Sequence, residues 1–183
     1  MTVSALFLIC MNFSLTANVV GMDGRRHNPI LESIGAPLAL VFVNHDCPIC
    51  NTYAPEIARI ASAFRGKVSV QLVYSEPDLT LALVKQHAKE FGLSTLPKWI
   101  DSSRRFATAC GAKIVPEAVL FDVLGRRVWA GRIDNLYLSL GQRQSRATVH
   151  DLRDALSALS RGESPNPTGG TPVGCTILTP GTQ

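Results

Sequence analysis

The sequence predicts an α/β fold in which a central mixed β-sheet is flanked by helices. Three observations predict it. Strand-like and helix-like segments alternate through the middle of the chain, the order that gives parallel strands. Residues 38–44 form a continuous apolar run rich in β-branched and aromatic side chains, as a strand buried on both faces requires. Residues 118–122 and 127–131 then read as two strands joined by a turn at Leu124-Gly125, an antiparallel hairpin.

Each element has its own signal. The buried strand at 38–44 follows a Gly35-Ala36-Pro37 break. From Pro48, residues Tyr53, Ile57, Ile60, Ala61 and Phe64 recur at helical spacing until Gly66 ends the helix, with Pro55 inside it as a kink. A strand at 68–74 follows. Glu76-Pro77-Asp78 is read as the cap of a second helix through Leu81, Val84, His87, Ala88 and Phe91. Residues 96–100 suit a short strand and 104–111 a short helix that buries Cys110. Trp99, Phe121 and Trp129 suit packing positions. The last helix, 149–160, places Leu152, Leu156 and Leu159 on one face behind Thr148 as a candidate cap.

The chain of 183 residues divides into three parts. Residues 1–21 start apolar and turn small and polar, which suits a secretory signal with Ala17 or Gly21 at its end, although no Lys or Arg precedes the apolar run. With that signal the protein is exported or periplasmic; without it, cytoplasmic. Residues 22–162 form one domain, and the Pro-, Gly- and Thr-rich stretch 163–183 is expected to be a disordered tail. Net charge is +4, from 18 basic and 14 acidic residues scattered along the chain, and this pattern argues against nucleic-acid binding. No apolar run reaches the roughly 18 residues of a membrane span, so stable membrane insertion is not expected.

The chemistry concentrates at Cys47-Pro48-Ile49-Cys50. Cys47 falls where the buried strand ends, and Cys50 in the first turn of the following helix. Unpaired N–H groups and the helix dipole favour a thiolate there, and the spacing lets the second sulfur resolve a mixed disulfide formed at the first. Pro48 suits a first turn, which does not need its N–H. The same spacing serves as half of a zinc site, but Cys110, Cys175 and the four histidines offer no second ligand pair, so no metal is expected. Cys175 is either an incidental thiol or a second-site resolving cysteine.

These residues resemble the thioredoxin superfamily, specifically its redoxin branch, which includes the thiol-specific antioxidant and TlpA-like proteins. The resemblance is carried by residues 41–50 with Tyr53-Ala54-Pro55-Glu56, and by residues 114–122, and it spans about residues 23–161. It implies a thioredoxin-like fold with the extra strand–helix insertion of redoxins, and thiol–disulfide oxidoreductase activity. It makes Cys47 the attacking cysteine, Cys50 the resolving one and Pro116 a cis-proline holding substrate backbone, with Val115, Pro48 and Ile49 beside the substrate. No cofactor beyond the Cys47–Cys50 disulfide is implied. The partners would be a protein or small-molecule thiol or disulfide and a further redox protein. Asp46 replaces the tryptophan usual before the first cysteine, and Val41 replaces a buried acid. Another proton acceptor is therefore needed; His45, Asp46, Glu56 and Glu117 are candidates, with Glu117 first.

Two other activities compete. A peroxiredoxin-like thiol peroxidase would attack peroxide with Cys47, but Asn44 stands where that family's pattern has Thr or Ser. A copper metallochaperone would grip the metal with Cys47, Cys50 and a distant histidine, although related carriers space their cysteines by three residues. A pure binding module would lack reactivity at Cys47.

Overall fold

A computed structural model describes residues 17–166 and 169–178. The sheet begins earlier in the chain than expected. Val19–Gly21 (β1) pairs antiparallel with Arg26–His27 (β2), and Val19 is buried. A leader ending at Gly21 would remove this strand from the sheet, whereas one ending at Ala17 would leave it in place; Asn28 Nδ2 donates to the Ala17 carbonyl. The rest of the expected leader, residues 1–16, lies outside the described residues. Asn28 also caps the short helix α1 (Pro29–Glu32), its side chain accepting from Ile30 and Leu31 N–H.

The central strand β3 (Leu38–Val43) is buried at all six positions. Helix α2 (Pro48–Ala63) carries the chain over to β4 (Ser69–Tyr74), parallel to β3 with Val43 opposite Tyr74. Helix α3 (Leu81–Glu90) makes the next crossover, to β5 (Lys98–Ile100), parallel to β4 and antiparallel to β1. The cap of α3 is Thr80, whose hydroxyl accepts from Leu83 N–H, and not the expected Glu76-Pro77-Asp78. Helix α4 (Arg105–Cys110) and the two-residue strand β6 (Ile114–Val115) lead into β7 (Glu117–Phe121) and β8 (Arg127–Gly131), the expected hairpin. Strand β7 lies antiparallel to β3, so the seven-stranded sheet, in the order β2-β1-β5-β4-β3-β7-β8, is mixed.

Tyr137–Ser139 (β9) and Gln142–Arg143 (β10) form a small separate ribbon. The last helix, α5 (Asp151–Ser160), buries Leu152, Leu156 and Leu159 as its spacing predicts. Thr148 does not cap it; its hydroxyl accepts from Asn135 Nδ2, and no side chain caps α5. Arg153 on α5 pairs with Glu56 on α2 at 2.7 Å, which ties the two helices together.

The expected tail is corrected over its described part. Cys175–Thr176 (β11) pairs antiparallel with β6, and Ile177 is buried. Gly and Pro gave this stretch too little apolar surface to order alone, but the open edge of β6 supplies the missing partners. Among the described residues no helix is long and apolar enough to cross a membrane.

Candidate redox site

The site forms beyond the C-terminal ends of parallel strands β3 and β4, where open α/β sheets place ligands. Four residues past the end of β3, Cys47 is the N-cap of α2, with no side chain bonding the helix end. The free N–H groups of Ile49 and Cys50 therefore turn toward its sulfur. Cys47 and Cys50 are 1% and 3% exposed, Pro48 is exposed and Ile49 half-buried.

These surroundings separate the two thiols. Cys47 falls to about 5 from 9.0, chiefly because the Cys50 thiol donates to it; burial opposes, and the Cys175 thiol and the backbone N–H groups of Cys50 and Ile49 assist. Burial pushes Cys50 well up, and the Cys47 charge adds to this. Cys175 rises to about 12, by burial first and then by its bond to Cys47. Near neutral pH one sulfur is thus held as a thiolate beside two protonated thiols. Alkylation of Cys47 by iodoacetamide is expected to titrate with a midpoint near pH 5, against about 8.5 for a free cysteine. The lowered value also links folding to pH: the dithiol form gains stability between pH 5 and 9, where Cys47 is ionised only in the fold, and loses that gain as pH falls through 5.

Facing the cysteines is the loop between β6 and β7. Its Val115–Pro116 peptide bond is cis, and Cys47 Sγ lies 3.8 Å from Val115 O. The carboxylate of Glu117 accepts from Lys113 N–H at 2.8 Å and Ile114 N–H at 3.2 Å, so it fastens this loop from within. Of the other expected proton acceptors, Glu56 is held by Arg59 and Arg153. Cys175 Sγ lies 2.6 Å from Cys47 Sγ, its thiol donating. The structure therefore brings Cys47, Cys50, Val115, Pro116 and Cys175 together.

Sequence reasoning missed a polar support beneath the site. Asn51 Nδ2 donates to His45 O at 3.1 Å, while Asn51 Oδ1 accepts from His87 Nε2 at 2.9 Å. The other nitrogen, His87 Nδ1, then accepts the Tyr74 hydroxyl at 2.9 Å. Burial and the charge of His45 lower the pKa of His87, which keeps it in the neutral form this chain of bonds needs. Glu76, read from sequence as a cap, is buried beside the loop: Oε1 accepts from His45 N–H at 2.8 Å, and His45 Nδ1 lies 2.8 Å away, close enough for an ion pair but not aligned for a hydrogen bond. Burial raises the pKa of Glu76. A carboxylate directly after a buried parallel strand was the signal that could have found it.

His45, Asp46 and Glu76 place one ligand atom each within 4.8 Å of one another, the group among the described residues that could hold a metal ion. No histidine joins Cys47 and Cys50 in such a group among those residues. A groove of about 650 Å³ lies elsewhere, along the C-terminal half of α2 between Ala58, Ala61, Lys67 and Leu96.

No protein-family model matches the chain, and no curated protein is similar to it in sequence. Solved structures are similar. A hypothetical protein from Sinorhizobium meliloti is 23% identical, with 91% of this chain and 92% of that one covered and a TM-score of 0.76. An uncharacterized conserved protein from Geobacillus kaustophilus is 22% identical, with 91% and 89% covered and a TM-score of 0.74. A secreted disulfide oxidoreductase of Mycobacterium tuberculosis is 16% identical, with 81% and 97% covered and a TM-score of 0.55. With its mixed sheet, its cysteines at the head of α2 and the cis-proline loop opposite them, the chain has the thioredoxin-like fold of such disulfide oxidoreductases.

Proposed function

We propose that this protein is a thiol–disulfide oxidoreductase that uses Cys47 and Cys50 as its redox pair. The observation that carries the reading is the setting of Cys47: a buried sulfur at the N-terminus of a 16-residue helix, next to a second thiol and 3.8 Å from the carbonyl that precedes a cis-proline. Cys47 attacks one sulfur of a disulfide substrate, and Cys50 then attacks Cys47 and releases the second half as a thiol. Val115 and Pro116 hold substrate backbone beside the sulfurs, and Pro48 and Ile49 form the adjoining surface. Glu117 positions the Val115–Pro116 loop through the two N–H groups that its Oε2 accepts, and it stays the first candidate for the proton acceptor. Stabilising the Cys47 thiolate stabilises the dithiol form, which biases the pair toward passing its disulfide to substrates. No cofactor enters this exchange. The partners are a thiol or disulfide substrate and a protein that resets the pair.

One observation favours a second reading, a thiol peroxidase. The side-chain oxygen of Asn44 is buried and accepts no hydrogen bond from the described residues, so it is free to orient a peroxide O–H. One experiment decides between them: insulin-disulfide reduction with dithiothreitol, run beside hydrogen peroxide consumption on the full chain. Disulfide turnover without peroxide turnover is expected. Peroxide turnover dependent on Cys47 replaces the first reading with the second, and silence in both assays removes both.

A further inference from the structure

The C-terminal segment is seated on the redox site by contacts that do not involve sulfur. Gly170 O accepts from Arg132 N–H at 3.0 Å, and Gly170 N–H donates to Asp151 Oδ1 at 3.0 Å. Asp151 is itself paired with Arg132 at 2.8 Å. Farther along, Cys175 stands opposite Val115 and Thr176 opposite Ile114, Ile177 N–H donates to Lys113 O at 2.8 Å, and the Ile177 side chain is buried. Between these anchors Gly174 crosses so close to the loop that a Cβ there would sit 1.8 Å from Val115 O. Only glycine permits that approach. The segment thus adds a strand to an open edge, the mode by which an extended peptide is commonly bound. It also delivers a cysteine to the sulfur of Cys47.

We propose that Cys175 is a third redox cysteine of this protein, an internal thiol substrate that exchanges with Cys47 while β11 occupies the edge where an extended, cysteine-bearing protein segment pairs. The inference rests on the reading of Cys47 as the nucleophile. In the oxidised protein the Cys175 thiolate attacks Cys47 Sγ. The Cys47–Cys175 bond forms and the Cys47–Cys50 bond breaks. The electron pair leaves on Cys50 Sγ, which takes up the proton that Cys175 gave away, so the step is an isomerisation without net electron transfer. When Cys47 carries half of an external disulfide, the same attack releases that half as a thiol. Cys50 is 3% exposed, whereas Cys175 is half-buried on a surface strand. Exchange to Cys175 therefore moves the disulfide from a closed position to one that a partner protein reaches once β11 lifts.

The test uses the full-length Cys50→Ser variant, treated with oxidised glutathione and mapped by non-reducing proteolysis and mass spectrometry. The expected product is a monomer with an internal Cys47–Cys175 disulfide and no retained glutathione. A stable glutathione adduct on Cys47, with Cys175 still open to alkylation, overturns the inference and leaves the reading of Cys47 standing. Cys47 unmodified in either way overturns both. A second variant, Cys50→Ser with Gly174→Val, keeps Cys175 but blocks its seat. Its internal disulfide is expected to form at least about tenfold more slowly, because the thiol loses its effective concentration at Cys47. Formation at the parent rate overturns the role of β11.

Discussion

Replacing Cys47 by serine is expected to reduce insulin-disulfide turnover to the background of dithiothreitol alone. A hydroxyl cannot replace the thiolate: its proton is held far more tightly, and the contacts that bring Cys47 to about 5 act on a sulfur. Neither remaining thiol compensates. Burial raises both Cys50 and Cys175, which leaves little thiolate on either near neutral pH. The fold should survive the change, because serine nearly matches cysteine in size and the N-cap is a position serine favours. Unchanged circular dichroism with lost turnover is the expected pair of results. Turnover retained by the variant would remove Cys47 from the mechanism.

Leu152→Asp is expected to unfold the protein. Leu152 is fully buried on α5, on the face that also buries Leu156 and Leu159, and its N–H is bonded to Ile133 O at 3.1 Å. The substitution removes a packed side chain and leaves an unpaired carboxylate inside. Losses beyond about 4 kcal/mol arise from such combinations, against a total stability of about 5–15 kcal/mol for a domain. Leu152→Met, which conserves volume, should cost less than about 1.5 kcal/mol. Urea unfolding followed by circular dichroism measures both. A cooperative transition in the aspartate variant near that of the parent would show that α5 is not integral to the core.

The contrast between what sequence reveals and what it hides runs along contact range. Residues 38–44, the Cys47–Cys50 spacing and the hairpin 118–131 are legible because periodicity, helix position and turn chemistry lie within a few residues of one another. The cis bond at Pro116 was reached only through resemblance, since a lone X-Pro pair does not distinguish the isomers. Strand β1 was hidden because Val19-Val20-Gly21 follows an apolar start that reads as a leader. Glu76 looked like a cap because Glu-Pro-Asp is typical before a helix, while its partner His45 lies 31 positions away. The role of β11 was hidden most completely. Its composition describes a disordered tail, and only the exposed edge of β6, far upstream, gives it structure.

Cys47 and Cys175 stand 128 positions apart in the sequence, and that separation makes the choice of disulfide a choice of how strongly the unfolded chain is constrained. A bond from Cys47 to Cys50 closes a tiny ring and removes only about 2 kcal/mol of chain entropy from the denatured ensemble, whereas a ring that takes in most of the chain removes about 5. On this account, moving one bond from Cys50 to Cys175 turns a locally reactive centre into a clasp around the whole domain. The same three sulfurs would then set both the protein's reactivity and its resistance to unfolding, with the seating of β11 deciding which disulfide prevails.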